Sequence, residues 1–101
     1  MIPNLQFESE DEFLEQMQEH ARAIHVRIMD AIDVSLLTGE TDPLIAYLNG
    51  DYEMRLPIVD WLRNLEQTLM YFEMIEEYDK CQEVVELTKK VETFLGKDLV
   101  N

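Results

Sequence analysis

Carboxylates are the residues of this chain best placed to do chemistry. Glu12 and Glu15, Glu83 and Glu86, and Glu76 and Asp79 each stand three apart. On a helix that spacing puts two carboxylates on one face, where they could share a divalent cation. Abundance weighs against the reading, because a chain with 22 acids in 101 residues contains such pairs by chance. The two histidines, His20 and His25, are five apart, on different helix faces and outside the spacing that clamps one metal. A carboxylate-bundle site would need Glu-x-x-His, yet Met17 and Arg22 occupy the positions three before the histidines. Both histidines read as boundary residues of an amphipathic helix. Cys81 falls on an apolar helix seam, with Glu76, Glu77, Asp79 and Glu83 close enough in sequence to oppose a thiolate. It reads as a small buried hydrophobe. Gly39, Gly50 and Gly96 are isolated, so there is no Gly-rich phosphate loop. No catalytic, cofactor-binding or metal residue is assigned, no cofactor is expected, and the chain reads as a non-enzyme.

Charge says more about partners. The chain carries 22 Asp and Glu against 8 Lys and Arg, a formal net charge of −14. A field of that sign repels phosphate, so nucleic acid and anionic membranes are not expected to bind directly. The balance is uneven. Residues 1–79 hold 18 of the acids against Arg22, Arg27, Arg55 and Arg63, whereas residues 80–101 hold four acids and four lysines. The expected recognition surface is therefore Glu8, Glu10, Asp11, Glu12, Glu15 and Glu19 together with Glu73, Glu76, Glu77 and Asp79. The lone Cys81 cannot close an internal disulfide, and no basic-then-apolar leader or long apolar run is visible, so a cytoplasmic location is the default expectation.

The elements that must hold these residues read as helices. Ser9 opens the first, and Glu12 completes a capping box. Phe13, Met17, Ala21, Ile24, Ile28 and Ile32 then return every three or four positions, predicting one helix over 9–37. Such a rod is about 42 Å long. Thr41-Asp42-Pro43 reads as a helix start and Asn49-Gly50 as its stop, giving a short helix over 43–48. Pro57 opens a third helix over 57–76, with Ile58, Leu62, Leu65, Leu69 and Phe72 on one seam and Trp61, Thr68 and Ile75 on another. A fourth spans 79–95 through Cys81, Val84, Thr88, Val91 and Leu95. With an irregular segment at 1–8, these elements predict a single all-α domain over 1–101. It is a small bundle of three long helices and one short one, with the third and fourth as an antiparallel hairpin. The overhang of the first helix, with Val26, Met29 and Leu36, is expected to pack on a second copy or another partner.

Two local likenesses accompany this pattern. Glu76-Glu77-Tyr78-Asp79-Lys80-Cys81 followed by an apolar helix resembles the hairpin turn of UVR-type interaction motifs, which implies a helical hairpin. The paired carboxylates are similar to those of the small all-α nucleotide pyrophosphohydrolases of the MazG type, which implies a magnesium-dependent hydrolase as one alternative. The leading expectation is a non-enzymatic acidic interaction module, in its sharper form an inhibitor or DNA mimic, that binds a basic surface on another protein. A small helical chaperone or adaptor is the other alternative, holding an amphipathic segment between the first and third helices against Met17, Met29, Met54, Met70 and Met74. A homodimer through the first helix is a further candidate assembly.

Overall fold

Asn49 and Gly50 decide the middle of the chain. Both have positive φ, 53° and 77°, the pair of left-handed conformations that Asn-Gly supplies most readily and that reverses a chain into a twisted hairpin. The flanking segments, β2 (Leu44–Leu48) and β3 (Tyr52–Arg55), accordingly pair antiparallel from Leu48 opposite Tyr52 to Leu44 opposite Arg55, with an irregularity at Leu44/Ala46. The short helix expected at 43–48 is thus a strand. Its apolar run Leu44-Ile45-Ala46-Tyr47-Leu48 fits either element, and Asn-Gly acts as a hairpin turn where a helix stop was expected. Pro43 closes the hairpin base, its carbonyl accepting from Leu56 N at 3.0 Å.

The computed structural model describes residues 2–99, and it overturns the all-α expectation. Four helices accompany a three-stranded mixed sheet of order β1-β2-β3, an α+β fold. The third strand, β1 (Asn4–Leu5), runs parallel to β2 and comes from the segment expected to be irregular. Its bonds are Tyr47 N to Pro3 O at 2.8 Å and Asn49 N to Leu5 O at 2.7 Å. Two residues carry too little periodicity to be read as a strand. Only their partner strand defines them.

The first long helix is also divided, into α1 (Glu10–Glu19) and α2 (Ala21–Thr38), at His20 with φ −102° and ψ 14°. The apolar positions continue in phase across the break, so the sequence pattern does not betray it. The premise of a single rod of about 42 Å that overhangs its neighbours falls with it. Met29 is buried in this chain, and Val26 and Leu36 pack partly buried against the same core. α2 stops at Gly39, which takes φ 83° and donates its N–H to Ser35 O.

A 3-10 turn (Ile58–Asp60) leads into α3 (Trp61–Met74), and α4 (Tyr78–Leu99) follows. Ile24, Ile28 and Ile32 of α2, Trp61, Leu65 and Phe72 of α3, and Val84, Leu87 and Val91 of α4 form one cluster with Leu5, Ile45 and Ala46 of the sheet. Burying each large side chain there contributes roughly 1.5–3 kcal/mol. Trp61 is fully buried, and its indole N–H donates to Leu56 O at 2.9 Å, tying α3 to the end of the hairpin. Among the described residues no helix is long and apolar enough to cross a membrane.

α3 ends in a Schellman motif without its usual glycine. Glu77 N bonds Phe72 O at 3.0 Å, Glu76 N bonds Glu73 O at 3.1 Å, and Glu76 itself sits at φ 60°. A side chain at that φ is strained. Glu76→Gly should therefore stabilise the protein by about 1 kcal/mol in chemical denaturation. Trp61→Phe should destabilise it by about 1–3 kcal/mol in the same measurement, because the buried Leu56 carbonyl loses its donor.

Candidate functional site

The acids of α1 sit on a helix that the fold barely uses. Ser9 Oγ accepts from Glu12 N at 3.2 Å, and the Glu12 carboxylate accepts from Glu8 N at 2.8 Å, so the capping box closes one residue earlier than the simplest version of the motif. Glu10, Asp11 and Glu12 occupy the first turn, where the helix dipole favours negative charge. No residue of α1 is fully buried. Phe13, in tilted contact with Phe7 at 4.8 Å between ring centres, and the half-buried Met17 are what attach it to the body. Glu8, Glu10, Asp11, Glu12, Glu15 and Glu19 are all exposed.

Two tethers fix where those acids lie. At the start of α1, Phe7 N donates to Asn49 Oδ1 at 2.8 Å, which holds Glu8 to Glu12 beside the hairpin turn. Beyond its end, Arg22 makes a two-pronged bond to Glu77, Nε to Oε2 at 2.7 Å and Nη2 to Oε1 at 2.8 Å. That bond fastens the first turn of α2 to the α3–α4 turn, where Glu73, Glu76, Glu77 and Asp79 lie. Glu8 to Glu12 therefore sit at the start of α1, Glu15 midway along it and Glu19 at its last residue, while Glu73, Glu76, Glu77 and Asp79 surround the α3–α4 turn. The Arg22 bond holds the Glu77 carboxyl below its usual range and raises the guanidinium.

A second cluster was not foreseen as a unit. An open groove of about 240 Å³ runs between α2 and α4 over Val26, Met29 and Leu87. Asp30 and Asp33 line its α2 side and Glu83 and Glu86 its α4 side. The signal for it was present, since both pairs stand three apart on facing helices, but it required knowing which helices are neighbours. Lys80 reaches Glu83 at 2.9 Å and Lys90 reaches Asp33 at 3.9 Å, so cations of the chain itself offset these walls. Among the described residues no group of three or more His, Cys, Asp or Glu is arranged to hold a metal ion. Glu12-x-x-Glu15 lies on α1, Glu76-x-x-Asp79 at the α3–α4 turn and Glu83-x-x-Glu86 in the groove, on separate elements.

The methionines do not line one groove. Met29 is in the core, Met17 and Met54 are half-buried on different elements, and Met70 and Met74 are exposed on α3. Cys81 is half-buried at the start of α4. Burial pushes its thiol pKa up, and the charges of Glu73 and Glu77 add to the rise, which disfavours a thiolate. His20 is exposed at the α1–α2 break. His25 is more deeply placed: its Nδ1 shares a hydrogen bond with the buried Thr68 Oγ1 at 2.8 Å, and its ring stacks on Tyr71 at 4.6 Å.

Comparisons with protein-family models, with curated proteins and with solved structures return no match to the chain.

Burial lowers the His25 pKa from the ordinary histidine value of 6.5, so the folded protein favours the neutral ring. Above pH 6.5 the ring is neutral in both states and adds no slope. As the pH falls below that value the unfolded chain takes up the proton first, and stability is lost down to the folded pKa. Denaturation curves at successive pH values should show this loss in the wild type, and His25→Gln should lack it.

Proposed function

We propose that the protein is a non-enzymatic interaction module whose acidic helical surface binds a basic surface on another protein. The observation that carries the reading is α1, a formed helix with no fully buried residue and with acids at Glu10, Asp11, Glu12, Glu15 and Glu19. A helix that adds little to the core needs another reason for its composition. Clustered like charges raise its energy in isolation and lower it against a cationic partner.

The distribution of cations supports the same reading. Arg22, Arg55, Arg63, Lys80 and Lys90 each lie within ion-pair distance of an acid of the chain itself. Most of the acidic excess is left over, and among the described residues Glu10, Asp11, Glu15 and Glu19 have no salt-bridge partner. Exposed charges of this kind contribute little to folding stability and much to the rate and specificity of association.

The test is affinity capture from the native host at low and high salt, with the wild type beside Asp11→Asn/Glu15→Gln. The reading expects a basic protein retained at low salt, released as salt screens the charges, and retained several-fold less by the variant. Retention that neither salt nor the substitutions diminish would overturn it and leave apolar packing as the driver.

A further inference from the structure

β3 lies at the edge of the sheet, beside β2. The direction of its free backbone groups follows from that neighbour. The N–H groups of Tyr47 and Asn49 turn to β1, where Pro3 O and Leu5 O accept them. Ala46 and Leu48 therefore turn to β3 and meet Met54 and Tyr52 across the ladder. Leu56 N, two residues beyond Met54, again turns inward to Pro43 O. By the same alternation Glu53 and Arg55 point their N–H and C=O groups away from the sheet, an open template for another strand. Both residues are exposed, and an ion pair of 2.9 Å joins their side chains on the solvent side of the sheet. Tyr52 and Met54 take the other face, where Met54 packs half-buried against the core and Tyr52 is 73% exposed.

We propose that the outer edge of β3 pairs antiparallel with β3 of a second copy of this chain, about a two-fold axis through Met54, joining the two three-stranded sheets into one. The order Glu53-Met54-Arg55 selects this occupant. Charged residues on an edge ordinarily keep strands apart, because like charges set opposite one another repel. A two-fold axis through Met54 instead sets Glu53 opposite Arg55 of the second copy, and Arg55 opposite its Glu53. These are the residues whose backbone groups are free, so ladder hydrogen bonds and opposite-charge pairs form together. A slip of two residues either way would place Glu53 opposite Glu53 or Arg55 opposite Arg55, which fixes the register. On the other face the two Met54 side chains meet in a close pair, about 4.5 Å between Cα atoms, and each Tyr52 lies diagonal to the opposite Met54, within reach of an aromatic ring. The net charge of −14 opposes the approach of two copies at low salt. The pairing therefore belongs to physiological ionic strength, where exposed charges farther apart than about 8 Å are screened.

Sedimentation in salt of about 0.15 M, over protein concentrations from about 10 µM to 1 mM, tests the pairing, with backbone amide shifts to locate it. The wild type should rise toward the dimer mass and show concentration-dependent shifts at Glu53 and Arg55. Glu53→Arg leaves two arginines on the edge and Arg55→Glu two glutamates, so each variant alone should self-associate about tenfold or more weakly. An equimolar mixture of the two should associate, and Glu53→Arg/Arg55→Glu should regain the dimer, because both restore unlike charges across the contact. Circular dichroism checks the fold of each variant, since Arg55 also donates to Asp42 O at 2.9 Å. Glu53→Pro keeps that bond and removes an outward N–H that the sheet itself does not use, and it too should be monomeric. A wild type that stays monomeric at about 1 mM overturns the proposal. So does a dimer that Glu53→Arg and Glu53→Pro leave intact, a pair of folded charge variants whose mixture does not associate, or a set of concentration-dependent shifts confined to the helices.

Discussion

Asn49 holds the fold's two halves in one place. Its left-handed backbone starts the reversal that makes β2 and β3 a hairpin, its N–H takes the carbonyl of Leu5, and its side-chain oxygen takes the N–H of Phe7. Asn4 answers by accepting from Gly50 N at 3.1 Å. One turn thereby orders the sheet, buries Leu5, and sets the point from which α1 must start. A residue unable to adopt positive φ at this position would strain the hairpin, and a residue lacking the amide oxygen would release the N-terminal segment.

From that anchor the molecule separates what stabilises it from what it displays. α2, α3, α4 and the sheet share one apolar cluster, with Trp61, Phe72, Ile32 and Val91 removed from water. The buried polar group on α3, Thr68, is matched by His25, so the core is not left with an unpaired hydroxyl. α1 contributes Phe13 and Met17 at the margin and otherwise displays carboxylates. Its acids are tolerated because the stability of the rest does not run through them. The Arg22–Glu77 bond bridges the two territories, fastening the α1–α2 junction to the α3–α4 turn with a planar, bidentate geometry that Lys would not reproduce.

Helical period was legible in the sequence wherever burial is one-sided. Ile24, Ile28 and Ile32, like Trp61, Leu65 and Phe72, announce their faces by spacing alone, and they are buried. The sheet was not legible in the same way. β2 is apolar on consecutive positions and so lacks the alternation that marks a half-exposed strand, while β1 exists only because β2 lies beside it. Asn49-Gly50 was the one local clue, and it has two meanings, helix stop and hairpin turn, which only the strand-like composition on both sides distinguishes. Glu76 hid the end of α3 because the left-handed position carries a carboxylate in place of glycine. For the candidate surfaces, the acids could be named from composition, but the tie of the α1 start to the hairpin turn and of α2 to the α3–α4 turn follows from Phe7–Asn49 and Arg22–Glu77, contacts between residues more than forty positions apart. The exposure of two methionines on α3 was obscured for a related reason. Met70 and Met74 look like core residues until Trp61, Leu65 and Phe72 are seen to occupy the inner side.

Native-state hydrogen exchange tests most directly the separation on which this account stands, an Asn49-centred sheet joined to the core with α1 outside it. The account predicts that the amides of Tyr47 and Asn49, which bond Pro3 and Leu5, exchange as slowly as those of α2 and α3, while the amides of α1 open locally and exchange much faster. Fast exchange at Tyr47 and Asn49, or α1 protected to the level of the core, would contradict it.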